Sequence, residues 1–266
     1  MSIIAKPTSY TVNTAHAKCP DHLFLMDEGS GTSLTDQGKV GGLTMTLANA
    51  DMRGSDALGA IITTVSATAR HVTNTSYTPP STDALWLAIY KTTDATPPAA
   101  ISTIISISVS AGDAYGLLHL TATNGYGSML YDYGTFASGN QTASTGRFDQ
   151  AWHMIAGHVR GGTTVPIKRL SEDGAAWQTS GNYTATWPND GGGSAPTRIG
   201  FGCRPITTPN TILNGSLLAV MLWDDIGWGS VDDTWISDLY TDPWQFLNTT
   251  PVSYAPTMGR CVYILP

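Results

Sequence analysis

The sequence predicts an all-β protein, a two-sheet antiparallel jelly-roll sandwich with one short helix near the C-terminus. Three observations lead there. Only 12% of the 266 residues are charged, roughly half the share of an ordinary soluble domain. Glu28 and Glu172 are the sole glutamates, and lysine occurs only at positions 6, 18, 39, 91 and 168. Those two residue types normally coat exposed helices, whereas the abundant Asp, Asn, Ser, Thr and Gly suit turns and strands, so a helix-rich chain is excluded. Finally, short apolar runs alternate with Gly, Pro, Asn and Asp clusters along the whole length, the pattern of a sandwich or barrel. A single β unit commonly reaches about 200–250 residues, so the length does not force a division.

Taken in order, strands are expected at His22–Met26, Leu43–Leu47, Leu58–Val65, Ala84–Tyr90, Ile101–Val109, Tyr115–Thr121, Ser128–Tyr133, Trp152–Arg160, Thr164–Leu170, Thr197–Cys203 and Gly215–Trp223. In Ile101–Val109, the residues Ile101, Thr103, Ile105, Ile107 and Val109 share one face. Ser102, Ser106 and Ser108 share the other beside Ile104, which predicts one buried and one mostly wet side. Ala84–Tyr90 and Gly215–Trp223 are apolar on both faces and read as central strands. In the latter Leu217, Ala219, Met221 and Trp223 oppose Leu218, Val220 and Leu222. Turns are expected at Thr123-Asn124-Gly125 and Ser171-Glu172-Asp173-Gly174. One helix is expected after Ser230, with Ser230 and Asp233 as an N-terminal capping pair. Val231, Trp235, Ile236 and Leu239 recur at helical spacing as core residues, and Pro243 is the stop. The chain thus divides into an N-terminal extended segment (1–19), a jelly roll (20–248) and a C-terminal arm or edge strand (249–266).

Charge and motif content narrow the function. A formal charge of -7 and few Lys and Arg exclude a nucleic-acid partner. The start MSIIAKPTSY has no basic segment followed by an apolar run, so no signal peptide is expected. The longest apolar stretches fall far short of the ~20 residues that span a bilayer, so no transmembrane segment or membrane insertion is expected. Cys19, Cys203 and Cys261 are widely spaced and read as buried or idle thiols. His16, His22, His71, His119, His153 and His158 form no H-E-x-x-H arrangement. His153 and His158, five apart on one strand, should point to opposite faces. No metal site is assigned and no cofactor is implied. A structural calcium is left open, with acid pairs such as Asp27-Glu28, Asp224-Asp225 and Asp232-Asp233 reading first as turn, solubility or capping residues.

Several local strings resemble the laminin G-like jelly rolls of the concanavalin A-like fold. Leu23-Phe24-Leu25-Met26-Asp27-Glu28-Gly29-Ser30-Gly31-Thr32, with Asp36 and Gly38 beyond, is similar to that family's opening strand and its EGSGT turn. Trp152 to Val159 resembles its WHHVAG strand, Glu172-Asp173-Gly174 its VDG turn, and Leu213 to Trp223 its late strand. Leu217 and Leu218 stand where that late strand usually carries acids, so no ligand role is inherited there. The ending Tyr240-Thr241-Asp242-Pro243-Trp244-Gln245 is similar to jelly-roll proteins of tailed-bacteriophage virions.

That resemblance implies a non-enzymatic structural protein of a virion surface, a capsid decoration or tail-fibre-associated subunit. It would be made in the host cytoplasm, homo-oligomeric, and in contact with other virion proteins. Ser2–Ala17 and Thr249–Pro266 are the candidate contacts. The alternative is a lectin module for host attachment, with host-surface glycans as partners. Its candidate ligand-binding residues are Trp177, Tyr183 and Trp187, which stand among Ser, Thr, Asn and Gly, a setting suited to sugar stacking or protein contact. Tyr126, Tyr131, Tyr133 and Phe136 form a similar group. A glycan depolymerase is least favoured, because glycoside hydrolysis needs two carboxylates facing one groove and the Glu-x-Asp-x-x-Glu string of the fold's glucanases is missing.

Overall fold

The computed structural model describes residues 5–54, 60–63, 71–80, 82–96, 101–108, 114–120, 127–130, 140–141, 147–160, 167–180, 197–205 and 212–249; for 114–118, 127–130, 140–141, 167 and 180 it describes the backbone alone. In chain order the strands are β1 (Tyr10–Val12), β2 (His22–Phe24), β3 (Ser33–Leu34), β4 (Met45–Leu47), β5 (Ile61–Thr63) and β6 (Val72–Asn74). They continue with β7 (Asp83–Thr92), β8 (Ser102–Ser108), β9 (Ala114–Leu120), β10 (Gly127–Leu130), β11 (Asn140–Gln141) and β12 (Trp152–Arg160). Next come β13 (Ile167–Glu172), β14 (Gln178–Ser180), β15 (Arg198–Phe201) and β16 (Gly215–Asp224), then helix α1 (Asp233–Thr241) and β17 (Leu247–Thr249).

Two antiparallel sheets face each other, as predicted. One runs β11-β10-β9-β8-β15-β6-β4-β3; the other runs β14-β13-β12-β7-β16-β2, with β5 also paired to β16. The inner core between them includes Phe24, Trp86, Ala88, Ile105, Ile107, Ile155, Phe201 and Leu222. A second core covers the outer face of the seven-stranded sheet, where Leu85, Leu87, Met154, Met221 and Trp223 meet Val231, Ile236 and Leu239 around α1. That second layer explains why β7 and β16 are apolar on both faces: each is buried on both sides.

β1 pairs with β17, Tyr10 opposite Thr249, and Tyr10 and Val12 pack on the second core. Lys6, 8% exposed, donates to the Leu25 carbonyl at 2.7 Å and pairs with Asp27 at 3.0 Å. Residues 5–19 therefore lie along the sandwich itself. The free edge of β2 is closed by the chain after β3: the Leu23 amide donates to the Asp36 carboxylate at 2.9 Å, and the Gln37 backbone amide donates to the Leu23 carbonyl at 2.8 Å.

Four expectations are corrected. The serine face of Ile101–Val109 is not wet: Ser102, Ser106 and Ser108 are buried. The chain after β15 folds back over that face, and the Ser106 and Ser108 hydroxyls donate to the carbonyls of Cys203 (2.9 Å) and Pro205 (3.0 Å). A bulge between Thr103 and Ile105 also brings Ile104 into the inner core beside Ile105. A second bulge, between Leu217 and Ala219, shifts the alternation of β16. Leu217 therefore faces inward with Val220 and Leu222, and Leu218 outward with Ala219, Met221 and Trp223.

The helix cap is Asp232 rather than Ser230 with Asp233. Its carboxylate accepts from the Trp235 amide at 2.7 Å, and Ser230 closes a preceding 3-10 turn. Finally, Ser171 and Glu172 belong to β13, and the turn is confined to Asp173 and Gly174, both at positive φ. The expected turn at Thr123-Asn124-Gly125, residues 58, 59, 64 and 65 of the Leu58–Val65 strand, and Cys261 lie outside the described residues. Cys19 and Cys203 are buried thiols.

Candidate functional site

β12 and β13 are neighbours in register, with His158 opposite Arg169. Both side chains point to the outer face, where β14 and the residues before α1 come together. Arg169 is 7% exposed, and its guanidinium carbon lies 4.1 Å from the Trp228 ring centroid and 4.6 Å from that of Trp177. Arg169 Nη2 donates to the carbonyls of Trp228 (2.8 Å) and Val231, and to His158 Nδ1 (2.9 Å). An arginine only donates, so His158 Nδ1 accepts and the ring proton sits on Nε2. Burial first, and the Arg169 charge second, push the His158 pKa down to about 3, so this ring is neutral. Burial also pushes Arg169 down to about 10, against the pull of Asp233, Asp83 and Asp232.

The two indoles are held by backbone bonds to those acids. The Trp228 amide donates to Asp83 at 2.9 Å and the Trp177 amide to Asp233 at 2.8 Å. Trp177 Nε1 also donates to the Asp232 carbonyl at 3.2 Å. Both rings are half-buried, whereas Asp232, Asp233, Gln178, Thr179 and Ser230 around them are exposed. A Cβ on Gly229 would meet open space. The arrangement is a pair of fixed aromatic surfaces bordered by exposed acceptors and hydroxyls.

Of the sequence-predicted residues, Trp177 is in this cluster; Tyr183 and Trp187 lie outside the described residues, as do Tyr126, Tyr131, Tyr133 and Phe136. Trp228 and Arg169 were missed by sequence reasoning. A signal for Trp228 was present, since an indole flanked by Gly227 and Gly229 sits in a turn rather than in a packed strand.

The remaining polar chemistry is arranged as clamps. His22 Nδ1 meets Asp36 at 2.6 Å and its Nε2 meets Asp224 at 3.4 Å. His153, on the opposite face of β12 from His158 as expected, meets Asp173 at 2.9 Å and Asp149 at 2.8 Å. Arg147 closes on Asp173 and Glu172, and Arg53 pairs with Glu28 at 2.9 Å. Of the acid pairs considered for calcium, Asp27 accepts from Lys6 and Tyr10, Asp225 from Thr82, and Asp232 caps α1. Among the described residues, no group of three or more His, Cys, Asp or Glu side chains is placed to hold a metal ion.

Comparison with solved structures places the architecture among known β-sandwiches. The Trypanosoma rangeli sialidase in complex with the inhibitor DANA matches with a TM-score of 0.57 at 11% identity, over 85% of this chain and 33% of that one. The binding domain of botulinum neurotoxin serotype D/C VPI 5993 matches with a TM-score of 0.56 at 11% identity, over 84% of this chain and 51% of that one. The Ruminococcus gnavus IT-sialidase CBM40 matches with a TM-score of 0.46 at 15% identity, over 60% and 84%. What the sialidase and the toxin domain share with this chain is the fold. This chain spans about a third of the sialidase chain and about half of the toxin domain. No protein-family model matches the sequence, and a search of curated proteins finds no match. No helix among the described residues is long and apolar enough to cross a membrane.

Proposed function

We propose that this chain is a non-catalytic β-sandwich that recognises glycans, carried as a surface subunit of a tailed-phage virion. The observation supporting glycan recognition is the Trp177–Trp228 pair, half-buried and fixed on Arg169. Rings held in place before binding lose little further freedom when the C–H face of a sugar stacks on them. The non-catalytic part is supported by how the acids are used. Glycoside hydrolysis asks for one carboxylic acid of raised pKa beside an ionised one. Asp36, Asp149 and Asp173 are instead lowered: burial pushes each upward, and the bond to its histidine partner, backbone amide bonds and the neighbouring positive charge together outweigh that. The virion setting is supported by the Tyr240–Gln245 resemblance and the low charge. Self-association through residues 249–266 belongs to the same proposal.

Two measurements test it. On a broad glycan array the purified protein is expected to bind a restricted set of glycans, and Trp228→Ala to abolish that signal while the melting temperature stays within a few degrees. An array without signal removes the glycan part. Immunogold labelling of particles of the encoding phage is expected to decorate their surface, and unlabelled particles remove the virion part.

A further inference from the structure

We infer that the Trp177–Trp228 face selects neutral, hydroxyl-rich sugars and turns away sugars that carry a carboxylate. The inference rests on the glycan reading above and names the ligand class for that site. Around the two rings stand three carboxylates, Asp83, Asp232 and Asp233, each anchored through one oxygen by the backbone amide of an aromatic residue: Trp228 at 2.9 Å, Trp235 at 2.7 Å and Trp177 at 2.8 Å. The anchored oxygen fixes the orientation of the other, which makes no hydrogen bond among the described residues. These are pre-aimed acceptors, and the matching ligand group is a donor; sugar hydroxyls supply donors on the rim of the same ring whose C–H face stacks on an indole.

The cation stacked on the two rings does not reverse this. Arg169 is buried, its Nη2 donors go to the Trp228 and Val231 carbonyls, and its edge toward β12 goes to His158. With His158 neutral, Asp83, Asp232 and Asp233 outnumber Arg169 and the exposed Arg160 opposite Asp83 in the β12–β7 ladder, so the charge balance around the rings is negative. A ligand carboxylate would enter that field within a Debye length of about 10 Å at 0.1 M salt, so screening does not remove the repulsion. A neutral sugar meets no such opposition and gains charge-assisted hydrogen bonds.

The test follows the indole N–H resonances of Trp177 and Trp228 in the full chain during titration with lactose, maltotriose and chitotriose as neutral probes. 3′-Sialyllactose and a hyaluronan tetrasaccharide serve as carboxylate-bearing probes. At least one neutral probe is expected to move both resonances, with every acidic probe at least tenfold weaker. Asp233→Asn keeps an acceptor for the Trp177 amide but removes the charge; it is expected to weaken the neutral probe about tenfold at unchanged melting temperature. Acidic probes that bind as tightly as neutral ones at these resonances, or an Asp233→Asn variant of undiminished affinity, overturn the selectivity. Failure of every probe to move either resonance overturns the site itself, a result distinct from the loss of selectivity.

Discussion

His22 stands between two carboxylates on two different elements, Asp36 in the chain after β3 and Asp224 at the end of β16. Burial disfavours its charge, but the hydrogen bonds with Asp224 and Asp36, joined by their charges, more than compensate and hold its pKa at about 9. The unfolded value is near 6.5, so the folded form binds the proton more tightly. That stability is fully present below about pH 6.5 and is lost as pH rises through 9, on the order of 3 kcal/mol for a shift of this size. Burial opposes the charge of His153 as well, but the bonds with Asp173 and Asp149 and their charges raise it in the same direction, so the two clamps add on the alkaline side. Urea denaturation from pH 6 to 10 should show a falling midpoint, and His22→Asn should flatten a substantial part of that slope. A wild-type midpoint constant over this range would mean that the clamps do not bind the proton in the folded state. Asp36, Asp149 and Asp173, lowered by these same partners, give the opposite limb, with stability lost as pH falls below the usual carboxylate range.

At the scale of the element, β16 carries the most consequence. It pairs with β7 along its length and with β5 and β2 on its other edge. At its start a Cβ on Gly215 would lie 2.0 Å from the Lys91 carbonyl oxygen on β7, a backbone atom that cannot move without opening the ladder. Gly215→Ala should therefore cost several kcal/mol, on the order of 3 or more, read as a lower urea midpoint at unchanged m-value. A loss under about 1 kcal/mol would show that the strands separate there at little cost. The same strand shows what the sequence could and could not reveal. Its existence, length and double-sided burial were legible from an unbroken apolar run. Which residue faces which core was not, because a one-residue bulge at Leu217/Ala219 reverses the alternation and leaves no mark in hydropathy. The serines of β8 misled for another reason: polarity implied water, whereas a fold-back at Cys203 and Pro205 supplied carbonyl acceptors instead. Two- and three-residue strands such as β1, β3, β6, β14 and β17 carry too short a pattern to read. At the site, Trp177 stood out by composition. Its partner Arg169 did not, because that pairing arises from the register of β13 on β12 and the approach of the turn before α1.

At the scale of the whole molecule, the protein is three layers with two cores, and the outer core is closed in part by the chain's own beginning. β1 lies on β17, Tyr10 and Val12 pack on the outer core, and the Tyr10 hydroxyl and Lys6 both reach Asp27 beside β2. The N-terminal segment thus links the C-terminal strand to the opening of the sandwich. Removing residues 1–12 deletes these contacts without touching either large sheet. Half-burial of a tyrosine and a valine is worth roughly 2–3 kcal/mol together, and the loss of Lys6 leaves the Leu25 carbonyl without its buried donor. The truncated chain should therefore still unfold cooperatively, at a melting temperature lower by about 4–12 °C, at roughly 2–4 °C per kcal/mol for a domain of this size, and bind a hydrophobic dye more strongly in its native state. An unchanged melting temperature and dye signal would show that β1 rests on the molecule without stabilising it, and the segment would then be free to pair elsewhere. A drop of the expected size instead fixes the segment of Lys6, Tyr10 and Val12 as part of the folded unit, which places any contact with neighbouring copies on other surfaces.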